Sequence, residues 1–320
     1  VHSGDSACVL PPHSLGEEML EEIRAATRAI ALEIGVVGLL NVQYAIHEGG
    51  LYVIEANPRA SRTVPFVSKA VGRPLAKLAC RIMLGERIAD LGLPDLPPER
   101  EGLGFGEHVS VKEAVLPFER FEGTDSVLGP EMRSTGEVMG IARDFPRAFA
   151  KAQAAAGSPL PESGTAFISV TDADKAGAFA VAQSLQESGF RLLATRGTAE
   201  AIERMGVPVK RLKKIGEGSP HVLDWIERGE VDLVVNTPTG SGARTDGWQI
   251  RRAAVAHGIP CLTTLPAAIS AARAIARARE AGEPEVVCLQ ELHGEARGAR
   301  RAARESAGRG AGAADRAEVA

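Results

Sequence analysis

No stretch of this 320-residue chain is apolar for long enough to span a bilayer, so no membrane partner is expected. Nor is there a block of one charge sign. Lys and Arg total 37 against 41 Asp and Glu, a formal charge of -4, and the mixture leaves no basic footprint for nucleic acid. The four cysteines, Cys8, Cys80, Cys261 and Cys288, stand far apart, without a paired metal or redox spacing and without a secretory signal. Reduced thiols in a cytoplasmic protein, used for packing, are the expectation. Neither G-x-x-x-x-G-K-[ST] nor a G-x-G-x-x-G after a strand occurs, which excludes the common glycine-rich phosphate loops. A starting Met is also missing: the chain opens at Val1, inside what reads as a motif, as a fragment would.

What is present is enough apolar material for real cores, 44% of residues, and a length that suggests two domains. The most informative stretch runs from Leu40 to Arg59 and reads as two alternating strands joined at Gly49-Gly50. A three-residue loop, Glu48 to Gly50 with Gly50 left-handed, sets Gln43 opposite Glu55 and Asn41 opposite Asn57. The odd positions then form a face of oxygens. The even positions, Val42, Tyr44, Ile46, Tyr52, Ile54 and Ala56, form a core face.

A carboxylate buried at the end of Leu-Tyr-Val-Ile-Glu55 needs a positive charge to meet it. Carboxylate and amide oxygens, with no sulfur or imidazole, suit magnesium, which completes its shell with water and phosphate oxygens. That combination points to a nucleoside triphosphate. Arg59 and Arg62 follow and could meet phosphate or carboxylate oxygens. The simpler alternative is an amphipathic hairpin whose Glu55 pairs with Arg59 or Arg62.

Elsewhere, Ser14 and Glu17 predict a capping box for a helix to about Leu32, with Met19, Ile23, Ala26 and Ile30 inward. Pro74 opens a helix ended by Gly85, residues 87 to 108 read as a connection, and Ser110 to Leu116 as a strand. Asp144 and Pro146 start a helix through Ala155, and the proline- and glycine-rich stretch 157–163 reads as a linker. Beyond it, strands at 165–170, 191–195, 233–235 and 260–264 alternate with helices, the signature of a parallel sheet covered by helices. Past His293 the Ala, Gly, Arg and Glu composition predicts a disordered tail, 293–320.

In this second domain Thr195-Arg-Gly-Thr198 follows a strand and opens a helix, where backbone N–H groups and the helix dipole favour an anion. Lys175 and Lys214 add charge. Equally, Gly197 makes the turn and Thr198 caps the helix. Asn236-Thr-Pro-Thr-Gly240 is a second polar loop at a strand end, where open parallel sheets bind ligands.

The run Asn41-Val-Gln43 with Val53-Ile-Glu55-Ala-Asn57-Pro-Arg59-Ala-Ser-Arg62-Thr-Val-Pro-Phe-Val-Ser-Lys-Ala resembles the C-terminal end of an ATP-grasp domain. More narrowly it resembles the large subunit of carbamoyl phosphate synthetase. Val1-His-Ser-Gly-Asp-Ser-Ala-Cys8, Ser110-Val-Lys-Glu113, Leu128-Gly-Pro-Glu-Met-Arg-Ser-Thr-Gly136 and Ala194-Thr-Arg-Gly-Thr198 extend the resemblance in the same order over residues 1 to 292. It implies the C-terminal part of an ATP-grasp module, 1–156, then a parallel-sheet α/β methylglyoxal-synthase-like allosteric domain, 164–292.

The resemblance further implies MgATP-dependent phosphorylation of carbamate for arginine and pyrimidine synthesis, in an oligomer. Gln43, Glu55 and Asn57 would hold Mg2+ or Mn2+, and Val1, His2 and Ser3 would run along the ATP together with Gln43 and Glu55. Arg59 and Arg62 would steady the transferring phosphoryl group and its acceptor. Asp5 and Glu113 fall at ornithine contacts, while Lys175, Thr195, Thr198, Lys214 and Asn236 would serve a nucleotide monophosphate effector. Related lyases carry an Asp-Pro pair where this chain has Asn236-Thr237, so binding without catalysis is expected there. Partners implied are a small glutaminase subunit and the N-terminal parts of the same subunit, without which the chain alone should be inactive. Another ATP-grasp carboxylate ligase would share the hairpin but not the second domain; a methylglyoxal-type lyase or free-standing nucleotide sensor would leave residues 1–113 unexplained.

Overall fold

The computed structural model describes residues 4–93, 108–118, 125–129, 131–238, 245–281, 286 and 288–294. Val1, His2, Ser3 and the tail from residue 295 lie outside them. The chain forms two compact units, one of Val1–Val9 with Val109–Pro284, the other of Leu10–His108 with Glu285–Ala320. The stretch 157–163, read as a linker, lies inside the first unit, because helix packing described below joins the segments on either side of it. No helix among the described residues is long and apolar enough to cross a membrane.

After β1 (Cys8–Leu10), the second unit opens with α1 (Glu17–Ile34). Its N-cap is Gly16, with no side-chain capping bond, so the capping box predicted from Ser14 and Glu17 does not form. The N-cap position falls two residues after Ser14, on Gly16, which has no side chain to offer the first turn. Met19, Ile23, Ala26 and Ile30 are half-buried, and the buried residue of the helix is Leu20, next to the expected stripe. The hairpin follows as β2 (Asn41–His47) and β3 (Gly50–Asn57), paired antiparallel. Next come α2 (Val64–Val71), which periodicity did not reveal, and α3 (Leu75–Met83).

The hairpin reaches its expected register by a different route. His47 pairs with Gly50, so the turn is the two-residue Glu48-Gly49, with φ of 50° and 79°. Two positive φ values are what a tight turn matched to strand twist requires, and Gly50 is ordinary strand. A two-residue turn alone would set Gln43 opposite Ile54. Instead Tyr44 pairs with Val53 and Gln43 with Glu55, leaving Ile54 as the extra residue of a bulge. Asn41 then faces Asn57. The predicted core face fares less well. Tyr44 reaches α1, its hydroxyl 2.7 Å from that of Thr27, but Ile46, Tyr52 and Ile54 are 41%, 56% and 48% exposed. The bulge shifts the parity of β3, and a two-stranded ribbon backed by one helix cannot cover both faces.

In the first unit β1 is joined by β4 (Val109–Val115) and β5 (Gly136–Ala142) in the order β1-β4-β5. α4 (Phe145–Ala155) is capped by Asp144, whose side chain accepts from the Arg147 N–H. The parallel sheet contains β6 (Thr165–Ser169), β7 (Arg191–Thr195), β8 (Lys210–Leu212), β9 (Leu233–Asn236) and β10 (Cys261–Leu262) in the order β10-β9-β6-β7-β8. The intervening helices are α5 (Lys175–Glu187), α6 (Arg196–Glu203), α7 (Val222–Glu227), α8 (Asp246–Ala256) and α9 (Leu265–Ala281). Alternation divides the core: Ala166, Ile168, Leu192, Leu233 and Val235 join α5, α6 and α9, whereas Phe167, Leu193 and Val234 join α7 and α8. β8 was not anticipated, since Lys-Arg-Leu carries no apolar alternation.

The thiols divide as well. Cys261 is half-buried, and desolvation pushes its pKa up to about 12, while Cys80 and Cys288 are exposed. The packing role expected of all four therefore does not extend to those two, which sit on outward positions.

α4 also closes onto the parallel-sheet side, through Ala148, Phe149 and Ala152 in the shared core and through Arg277 of α9, which donates to the Asp144 carboxylate. On its other side it crosses β5 at Gly140. A Cβ there would lie 2.1 Å from the Ala148 carbonyl oxygen and 2.6 Å from the Ala152 nitrogen, both backbone atoms. Gly140→Ala is therefore expected to lower unfolding free energy by about 3 kcal/mol. Gly136→Ala, with nothing within 4 Å of the added carbon, should change it by less than about 1 kcal/mol. Urea unfolding of both variants checks this; equal losses would contradict the close crossing.

Candidate functional site

Three groups of predicted residues occupy three places. On the hairpin, Gln43 and Glu55 are cross-strand partners, and the Asn57 Nδ2 donates to Glu55 Oε1 at 3.0 Å. Their side chains are thus on one face of the hairpin. The Glu55 side chain is exposed, not buried as the sequence suggested, because the strand that carries it is open on that side. The need for a compensating charge therefore does not arise from burial. Arg59 does not pair with Glu55; its Nη1 donates to the Ala60 carbonyl at 2.9 Å, and Arg62 lies exposed just ahead of α2. Carboxylate and amide oxygens on an accessible face can take a hard cation that keeps most of its waters.

Asp5 and Glu113 belong to the β1-β4-β5 sheet region. Asp5 is 3% exposed, and its carboxylate accepts the Arg133 N–H at 2.6 Å and the Ser134 N–H at 3.2 Å. Glu113 is half-buried: Gln153 of α4 donates to Oε2 at 2.6 Å, and burial pushes its pKa up. It is not the freely solvated carboxylate that an alternating strand would offer. Beside it Lys112 is fully buried, its ammonium 3.1 Å from Glu137 and 3.4 Å from the Gly4 carbonyl. Sequence reasoning missed Lys112, since a lysine in a strand reads as an outward residue.

The third group lies at the C-terminal ends of the parallel strands. The strand order reverses between β6 and β9, and that switch point is where open α/β sheets take ligands. Thr195 ends β7 as the N-cap residue of α6, with its hydroxyl 3.3 Å from that of Ser169. Thr198 is not the cap. It is 2% exposed, and its Oγ1 accepts the Val170 N–H at 3.3 Å, so its own proton remains to donate. The Lys175 ammonium hangs over Gly197, 3.4 Å from where a Cβ would stand, and pairs with Asp172 at 2.6 Å. Asp172 is held below the usual carboxylate range by the Lys175 hydrogen bond and charge, with a smaller pull from Lys214. Two lysines thus bear on one exposed spot at the start of α6.

Asn236 ends β9 and faces inward, 4% exposed. Its Nδ2 donates to the Ser169 carbonyl at 3.2 Å and its Oδ1 accepts from Arg251 Nη1 at 2.7 Å. Next to it the Thr237 hydroxyl accepts the Thr171 N–H at 2.9 Å. Thr239 and Gly240 of the predicted polar loop lie outside the described residues. Thr171, Asp172 and Arg251 are the residues of this region that the sequence did not single out. The first two follow a strand and were legible as a strand end; Arg251, inside α8, gave no signal.

Known proteins and families carry the same segments. The family described as "Carbamoyl-phosphate synthase L chain, ATP binding domain" matches residues 1–91, which include the hairpin. The "MGS-like domain" family matches residues 177–263, which include Thr195, Thr198, Lys214 and Asn236. The carbamoyl phosphate synthase large chain of Clavibacter sepedonicus is 54% identical over 303 residues, 91% of this chain and 28% of the relative. That of Rhodopirellula baltica is 52% identical over 284 residues, 88% of this chain and 26% of the relative. A protein of the same name from Methanosarcina barkeri is 49% identical over 295 residues, 92% of this chain and 72% of the relative. The chain thus spans about a quarter of the length of the first two, at 28% and 26%. Since identity of this order runs through both matched segments and most of the third relative, the chain belongs to the carbamoyl phosphate synthase large chain family.

Proposed function

We propose that this chain supplies the carbamate-phosphorylating end and the regulatory domain of a glutamine-hydrolysing carbamoyl phosphate synthetase, in the cytoplasm, for arginine and pyrimidine synthesis. In this reading residues 1–156 complete an ATP-grasp module, 157–163 link, and 164–292 bind effectors. A glutaminase subunit delivers ammonia. The carrying observation is the hairpin register, which sets Gln43 against Glu55 with the Asn57 amide 3.0 Å from the same carboxylate.

The donor set fits magnesium or manganese: one carboxylate and two amides, all offering oxygen, on a face open to water and phosphate. Gln43, Glu55 and Asn57 would hold the ion, which when bound with ATP neutralises charge on the phosphate oxygens. Arg59 and Arg62 orient the acceptor and balance the charge that spreads over the transferring phosphoryl group. Both follow Asn57 within five residues in the sequence. No side chain acts as general base, since carbamate oxygen is already anionic.

The parallel-sheet end binds a nucleoside monophosphate, uridine or inosine, with Lys175, Lys214 and the hydroxyls of Thr195 and Thr198 toward the phosphate. Asp5 and Glu113 serve ornithine: Glu113 exchanges its Gln153 partner for the ligand ammonium, and Asp5 orders residues 133–134 beside it.

In a full-length synthetase carrying these residues, Glu55→Ala should abolish ATP formation from carbamoyl phosphate and ADP and leave glutamine hydrolysis largely intact. Retained ATP formation would remove Glu55 from the metal site. For the regulatory domain, calorimetric titration of the 320-residue chain with uridine and inosine monophosphates should give saturable binding without turnover. Lys214→Ala should weaken it by about fivefold. Heat independent of Lys175 and Lys214 would place the phosphate elsewhere.

A further inference from the structure

Arg251 is 2% exposed, inside α8, and makes three hydrogen bonds to two side chains at once. Its Nη1 donates to Asn236 Oδ1 at 2.7 Å, its Nε to Asp125 Oδ1 at 2.7 Å and its Nη2 to Asp125 Oδ2 at 2.5 Å. The last two are a fork-to-fork ion pair, the most directional contact available between charged side chains. Asp125 is 126 residues away in sequence, lies between β4 and β5, and falls in neither family-matched segment. Gly247 keeps the arrangement tight, since a Cβ there would come 2.8 Å from Arg251 Nη1 and 3.2 Å from Asn236 Oδ1.

Asn236 is therefore read from two sides. Through Nδ2 it is tied to the Ser169 carbonyl, which also accepts the Thr237 N–H at 3.2 Å, so it reports on the gap between β6 and β9. Through Oδ1 and Arg251 it is tied to the segment that leads into β5, the strand α4 packs upon. A planar guanidinium clamped by a carboxylate on one edge and an amide on another cannot follow one partner without displacing the other.

We propose that Asp125 and Arg251 form the coupling clamp that transmits nucleotide occupancy at the switch point to the β4–β5 segment, with Asp125 as a positioning residue acting through Arg251 and Asn236. The proposal rests on the nucleotide reading given above. It has the differential contact that coupling requires: a ligand that shifts Asn236 changes the guanidinium position, and with it the seat of Asp125.

The test uses the 320-residue chain with uridine monophosphate as probe, joining calorimetry to backbone hydrogen exchange across residues 131–142. In the parent chain saturating nucleotide should change exchange in that stretch by at least about fivefold, the lower end of ordinary coupling strength. Asp125→Asn should bind nucleotide within about threefold of the parent, yet lose the exchange response, because the bidentate charge pair is gone. Asp125→Glu should restore it, which a merely structural role for the site would not predict. If Asp125→Asn does not fold, Arg251→Lys, which keeps the charge and loses the fork, should still reduce the response. A response that survives in Asp125→Asn or Arg251→Lys overturns the clamp while leaving the nucleotide site standing. Absence of nucleotide binding to the parent chain overturns both.

Discussion

In β3 one residue, Ile54, has no partner in β2, and the chemistry of the hairpin face follows from that bulge. The Glu48-Gly49 turn is as short as a hairpin turn can be, and continued without interruption it would set Glu55 against Val42. Glu55 would then share a side with Tyr44, and Asn57 with it. The extra residue resets the parity, so Gln43 meets Glu55 and Asn41 meets Asn57. Bulges cost a ladder hydrogen bond and bend the strand, and they recur where a side chain has to be re-aimed. Here the re-aimed group is the one carboxylate of the oxygen face.

The first unit depends on a comparable economy of contacts. Gly140 lets α4 lie directly on β5, Ala148 and Ala152 carry the same helix into the core shared with α9, and Asp144 both caps α4 and accepts from Arg277. Small residues make the approach possible and charged ones fix its rotation. The parallel sheet gains from this a buttress on the side of α5 and α9, while α7 and α8 close the other. The strand ends at the switch point are left with Lys175 and Lys214 outside and Asn236 and Thr237 inside, charge toward solvent and hydrogen-bonded amide and hydroxyl groups toward the core.

Much of this was legible in the sequence because it is local. Alternation gave β2, β3, β6, β7 and β9, the Asp144-Phe-Pro146 signal gave α4, and the pairing of Gln43 with Glu55, expected from a three-residue loop, is reached instead through a two-residue turn and a bulge. The turn was misjudged because two glycines in a row invite a left-handed residue at the second. The structure puts the first positive φ on Glu48, which propensity disfavours. β8 and α2 were missed for composition: Lys210-Arg211-Leu212 lacks alternation, and Pro65 with β-branched Val64 and Val67 masks a helix start. The compact units were illegible in principle, since Asp125 with Arg251 and Lys112 with Glu137 join residues that no window spans. Burial of Lys112 and Arg251 follows from those partners, and a single chain gives no sign of them in advance.

The central claim is that Gln43, Glu55 and Asn57 present their oxygens to one cation. Paramagnetic broadening tests it directly: Mn2+ titrated into nitrogen-15-labelled chain, read at the side-chain amide resonances of Gln43 and Asn57. The account predicts that these two broaden ahead of the other Asn and Gln side chains, and that Glu55→Gln abolishes the preference. Broadening spread evenly over the surface carboxylates, or unchanged in Glu55→Gln, would contradict it.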